Sequence, residues 1–95
     1  MVCRRLLISG RVQGVGFRYH AHEEAKRLKL RGFVRNLEDG RVEIVATGDI
    51  KSLEELISWS RKGPPTAKVK EVYVSEMTEG IPEEPFYIRR DGRKF

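Results

Sequence analysis

Residues 10–18, GRVQGVGFR, set three glycines between an apolar run and a helical stripe. No other stretch restricts the fold as much. On the N-terminal side, Leu6, Ile8 and Val12 alternate with Leu7 and Ser9, which predicts a strand over residues 4–12 with both faces largely covered. On the C-terminal side, Phe17, Ala21, Ala25 and Leu28 recur at helical spacing. They form one stripe of an amphipathic helix, with Glu23, Glu24, Lys26, Arg27 and Lys29 largely off it. The glycines must therefore carry the chain out of a strand and into a helix N-terminus. Gly32 is expected to stop that helix soon after Leu30.

The remainder repeats the alternation. Phe33 to Asn36 reads as a short extended segment, and LEDG (37–40) carries an Asp-Gly turn signal. Val42, Ile44 and Ala46 alternate with Arg41, Glu43 and Thr47, so residues 33–47 are expected to form a hairpin. Asp49 is a plausible N-cap for a second helix built on Ile50, Leu53, Leu56, Ile57 and Trp59, and Gly63-Pro64-Pro65 ends it. Val69, Val72, Tyr73 and Val74 predict a fourth strand. Gly80, Pro82 and Pro85 make 77–85 a loop, and Phe86, Tyr87 and Ile88 make a short last strand. This order predicts an α+β, ferredoxin-like βαββαβ sandwich: an antiparallel sheet with two helices on one face, plus a short C-terminal strand. At 95 residues, with no linker or low-complexity segment, residues 1–95 are expected to form a single domain.

Composition narrows the function classes. Hydrophobic residues make up 39% and charged residues 35%, a globular composition with a charge-rich surface. Cys3 is the only cysteine, which excludes an intramolecular disulfide and a thiolate metal site; at the head of a strand it reads as a half-buried apolar residue. Leu6-Leu7-Ile8 is too short for a signal peptide or a membrane span, so a cytoplasmic protein without a membrane partner is expected, and a monomer. His20 and His22 are two apart and do not share a helix face, and no His/Cys/Asp cluster has ligand spacing, so no metal is expected. Trp59 and Tyr73 read as core or core rim, and Glu83-Glu84 as a solvated loop. Net charge is +5 and the pI about 9.7, a balance that suits anions, but basic residues are interleaved with acidic ones. Arg89, Arg90, Arg93 and Lys94, with Asp91 among them, read as a solvated terminus. An RNA-binding domain with the same element order competes, since RGFVRN (31–36) echoes part of its signature. Residues 4–12 and 41–47 hold no aromatic to stack bases, so no nucleic-acid partner is expected.

Glycines at the entry to a helix permit positive φ and close approach of a ligand to the backbone. Successive N–H groups in such a turn can converge on an anion, and the helix N-terminus adds free donors and partial positive charge. Arg18, in the first turn, is disfavoured by the helix dipole unless an anion sits between them. Its guanidinium can grip two oxygens of one phosphate. The segment is neither a P-loop nor a G-x-G-x-x-G dinucleotide loop. Local physics leaves two readings open, a phosphate cradle and a turn that only reverses the chain.

GRVQGVGFR resembles the first signature of the acylphosphatases. GFVRNLEDGRVEIVATG (32–48) resembles their second, and GPPTAKV (63–69) is also similar. The likeness spans essentially the whole chain. It implies a small enzyme that hydrolyses carboxyl-phosphate mixed anhydrides to a carboxylate and inorganic phosphate, without a metal or any other cofactor. It further implies that Arg18 binds the phosphoryl group, that Asn36 positions the attacking water, and that the backbone amides of Gln13, Gly14, Val15, Gly16 and Phe17 cradle the phosphate. A catalytically silent anion-binding relative and a module of a larger maturation enzyme are the competing readings of the same likeness.

Overall fold

The computed structural model describes residues 1–90; Asp91, Arg93 and Lys94 of the basic tail lie outside the described residues. The chain runs β1 (Val2–Arg11), α1 (Phe17–Arg27), β2 (Arg31–Asn36), β3 (Val42–Gly48), α2 (Ile50–Lys62), β4 (Lys68–Glu76) and β5 (Tyr87–Ile88). The sheet order is β4-β1-β3-β2-β5. Alternation along β1, β3 and β2 sends Leu6, Ile8, Ile44 and Val34 to one face, where they meet Phe17, Ala21 and Ala25 of α1 and Leu53 and Leu56 of α2. The expected ferredoxin-like α+β architecture is therefore present.

The sheet is mixed rather than antiparallel. The four long strands pair antiparallel, but β5 pairs parallel with β2, setting Phe33 beside Tyr87 and Val34 beside Ile88. The chain reverses once after β4, which runs opposite to β1 and β2. It therefore returns along the other edge in the direction of β2. Phe86, just before β5, turns into the core and is 5% exposed.

Four local expectations change. Helix α1 ends before Gly32: Lys29 adopts φ +60°, its N–H donates to the Lys26 carbonyl and that of Leu30 to the Ala25 carbonyl, each at 3.0 Å. That left-handed closing turn ends the helix without a glycine. Gly32 instead lies in β2 at φ +133°, where a Cβ would collide with the Val45 carbonyl oxygen. In α2 the buried stripe is Leu53, Leu56 and Ser60, while Ile50 is exposed; the Ser60 hydroxyl satisfies itself on the Leu56 carbonyl at 2.8 Å. Tyr73 is exposed, because edge strand β4 turns it to the sheet face opposite the helices, abreast of Leu7. Cys3 is buried rather than half-buried, and Trp59 packs on Phe17 with ring centroids 5.2 Å apart. Among the described residues no helix is long and apolar enough to cross a membrane.

The face without helices carries one buried charge. The Glu43 carboxylate, 5% exposed, accepts from Arg5 Nε and Arg35 Nε at 2.6 Å each. Burial pushes its pKa up, but the two guanidinium hydrogen bonds outweigh that and hold it below the ordinary 4.5. With a folded-state pKa below the unfolded one, the pair's stabilisation is intact above pH 4.5. It is lost as pH falls below that value toward the folded pKa. Glu43→Gln is expected to cost about 2–3 kcal/mol at neutral pH, because two guanidinium groups lose their anion. It should also flatten the acid loss of stability. Urea titrations of both proteins at pH 7 and pH 3.5 check this, and equal urea midpoints at pH 7 would contradict it.

Candidate active site

The chain leaves β1 at Arg11 and enters α1 at Phe17, so the glycine loop has only residues 12–16 in which to turn. Gly14 and Gly16 take φ +74° and +80°, a conformation that costs other residues strain. Gly16 is the N-cap of α1 in the left-handed region; it has no side chain to cap the first turn, and that turn contains no acidic residue. The free N–H groups and the positive end of the helix dipole therefore meet no side-chain cap and no acidic residue of their own first turn.

Side chains hold this loop from two directions. Gln13 Nε2 donates to the carbonyls of Leu37 and Arg41, at 2.8 and 2.9 Å, tying the loop to the β2–β3 turn. The Thr66 hydroxyl donates to the Val15 carbonyl at 2.7 Å, tying it to the segment after α2. The Gly16 carbonyl accepts from the His20 N–H at 3.1 Å, and His20 Nδ1 lies 2.9 Å from the same oxygen. A carbonyl oxygen cannot donate, so Nδ1 carries the proton there.

A cleft of about 230 Å³ opens beside the loop. Gly14, Gly16, Arg18 and Asn36 all line it. Arg18 reaches it from the first turn of α1 and Asn36 from the last residue of β2. Phe17 forms part of its floor and is 1% exposed. Gln13 and Val15 do not line the cleft; the first holds the loop by its side chain and the second by its carbonyl. No carboxylate or carbonyl among the described residues pairs with the Arg18 guanidinium. Asn36 Oδ1 is buried without a hydrogen-bond partner among the described residues, a costly condition for an amide acceptor.

Sequence reasoning missed four further lining residues, Val12, Tyr19, Ile88 and Arg90. Arg90 lies two residues beyond Ile88, as Asn36 lies two beyond Val34, the register partner of Ile88. The two side chains thus come to the same end of the sheet. Only the pairing of β5 with β2 brings Arg90 there, and that pairing leaves no mark on local sequence. Thr66 had a signal, since it sits inside GPPTAKV. Among the described residues no three His, Cys, Asp or Glu side chains gather as a metal site would require.

The acylphosphatase family profile matches residues 4–88. The chain belongs to the acylphosphatase family. An acylphosphatase of Acaryochloris marina is 48% identical over 80 residues, which is 84% of this chain and 86% of that one. One from Methylococcus capsulatus is 48% identical over 86 residues, 90% of this chain and 94% of its own. The crystal structure of acylphosphatase from Bacillus subtilis matches with a TM-score of 0.86 at 42% identity, covering 94% of this chain and 99% of that one. The glycine loop, Arg18 and Asn36 all fall within the matched span.

Proposed function

We propose that the cleft between the glycine loop and the end of β2 is where an acyl phosphate is cleaved, with Arg18 and the loop amides on the phosphoryl group and Asn36 on the attacking water. Family membership makes the chain a hydrolase of acyl phosphates. The residue roles are our reading. The observation that carries it is that one cleft is lined by Arg18, whose guanidinium has no partner among the described residues, by the uncapped N-terminus of α1 and by Asn36.

Each part matches a need of the reaction. The phosphoryl oxygens gain charge density that is spread over three positions, so positioning and electrostatics supply most of the catalysis. The loop amides that reach the cleft, at Gly14, Gly16 and Phe17, and the planar fork of Arg18 supply donors already oriented before reaction. The Asn36 amide orients the water by hydrogen bonding and thereby aims its lone pair at phosphorus. The water oxygen bonds to phosphorus as the bond from phosphorus to the acyl oxygen breaks. The electron pair leaves with the carboxylate, and the water's proton passes to the phosphate product or to solvent. A carboxylate leaves without a general acid at neutral pH, its conjugate acid having a pKa near ~4. That removes the role a histidine or carboxylic acid would otherwise fill. With amides and a guanidinium on the oxygens, the reaction as proposed needs no metal.

Benzoyl phosphate hydrolysis in excess chelator tests this reading. Turnover that is the same with and without chelator is expected. Loss of activity in chelator, restored by a divalent cation, would overturn the metal-free scheme.

A further inference from the structure

The cleft holds more than a phosphoryl group. Its volume of about 230 Å³ exceeds what the five heavy atoms of a phosphate fill. What lies around the surplus space differs from wall to wall. Arg90 and Asn36 come from adjacent strands at one end of the sheet. Tyr19 faces them from α1, next to Arg18. It is 57% exposed, an unusual place for a large ring, and it touches the His20 ring edge-on with centroids 5.3 Å apart. His20 is in turn fastened to the Gly16 carbonyl. The Tyr19 ring is thus braced from the phosphate loop itself.

In-line displacement sets the water and the leaving group on opposite sides of phosphorus. If Asn36 holds the water, the acyl group departs away from the β2 and β5 wall, toward α1 and the mouth of the cleft. We infer that Tyr19 is the acyl-side wall of the site and makes the enzyme select acyl phosphates with a flat apolar or aromatic acyl group. This rests on the phosphoryl and water assignments given above. An offset or edge-on contact with the braced ring favours a planar apolar group, and the brace removes ordering cost at binding. Arg90, on the water side, is not placed to reward a second negative charge on the acyl group.

Initial rates with benzoyl, acetyl and succinyl phosphate, for the unmodified protein, Tyr19→Ala and Tyr19→Phe, test this. Tyr19→Ala is expected to reduce the benzoyl-to-acetyl ratio of kcat/KM about tenfold, with the loss in KM rather than kcat. Tyr19→Phe keeps the ring and should restore the ratio. An unchanged ratio in Tyr19→Ala would overturn the inference, as would a preference of the unmodified protein for succinyl over benzoyl phosphate, which would point to Arg90. Failure of the unmodified, folded protein to hydrolyse any of the three would defeat the underlying assignment of the cleft instead.

Discussion

Arg18→Lys is expected to lower kcat/KM for benzoyl phosphate about 10²-fold or more. The substitution keeps the charge, the half-buried location in the first turn of α1 and the place in the cleft wall. What it removes is the rigid planar fork that matches two oxygens of one phosphoryl group at once. A lysine ammonium is a point charge on a flexible stem, and it must be ordered anew with each substrate. Charge alone would therefore predict a small effect, and geometry a large one. Arg18 is not part of the buried core, so the urea midpoint should hardly move. Inorganic phosphate, tested as a competitive inhibitor, should also bind the variant more weakly. A variant with full activity would remove Arg18 from the phosphoryl site.

The junction that mattered most was legible. A period-two run, a glycine cluster and a helical stripe fix β1, the loop and α1 in that order, because each signal is local. The β2–β3 hairpin was legible for the same reason, since the Asp39-Gly40 turn and the alternation through Val42 and Ile44 lie next to each other in the chain. Misreadings occurred where a distant partner decides. Gly32 looked like a helix stop because local rules offer glycine that role. Its actual constraint is the Val45 carbonyl of the neighbouring strand, while Lys29 closes the helix. Ile50 is exposed and Ser60 buried because the face of α2 is set by where the sheet lies, and the serine could satisfy its hydroxyl within its own helix. The parallel direction of β5 follows from which edge it joins, a matter of topology rather than of residues 86–88.

The site divides along the same line. The positive-φ turn at Gly14 and Gly16 was readable from the strand-to-helix junction. The spacing of Arg18 and Asn36 says nothing about their meeting. That expectation came from the likeness to a family, and the common cleft depends on β2 ending beside the N-terminus of α1. Gln13 shows how far a local reading can go. As a loop residue it suggested only an amide, yet its side chain fastens the loop to the β2–β3 turn that follows Asn36. The two halves of the cleft are thus held in one frame. Tyr19 was visible as a helix residue, but its exposure at the cleft mouth is a three-dimensional fact.

Asn36→Ala is expected to lose about 10²–10³-fold in kcat while folding as well as the unmodified protein or better. The amide oxygen of Asn36 is buried without a partner among the described residues, so in the folded protein it contributes desolvation cost and no hydrogen bond. Removing it should leave the urea midpoint unchanged or raise stability by up to about 1 kcal/mol. Asn36 closes β2 opposite Val42, and those backbone pairs do not depend on the side chain. A residue kept for structure would behave the other way, losing stability when truncated. The combination of a slow and stable variant therefore separates a water-positioning role from a structural one. The loss should fall on kcat, with KM for benzoyl phosphate nearly preserved, because the phosphoryl grip of the loop and Arg18 is intact. An Asn36→Ala variant that turns over at full rate would move the water elsewhere in the cleft, which Arg90 also lines. A variant that is inactive and also markedly less stable would make Asn36 a support for the β2–β3 turn rather than a participant in the reaction.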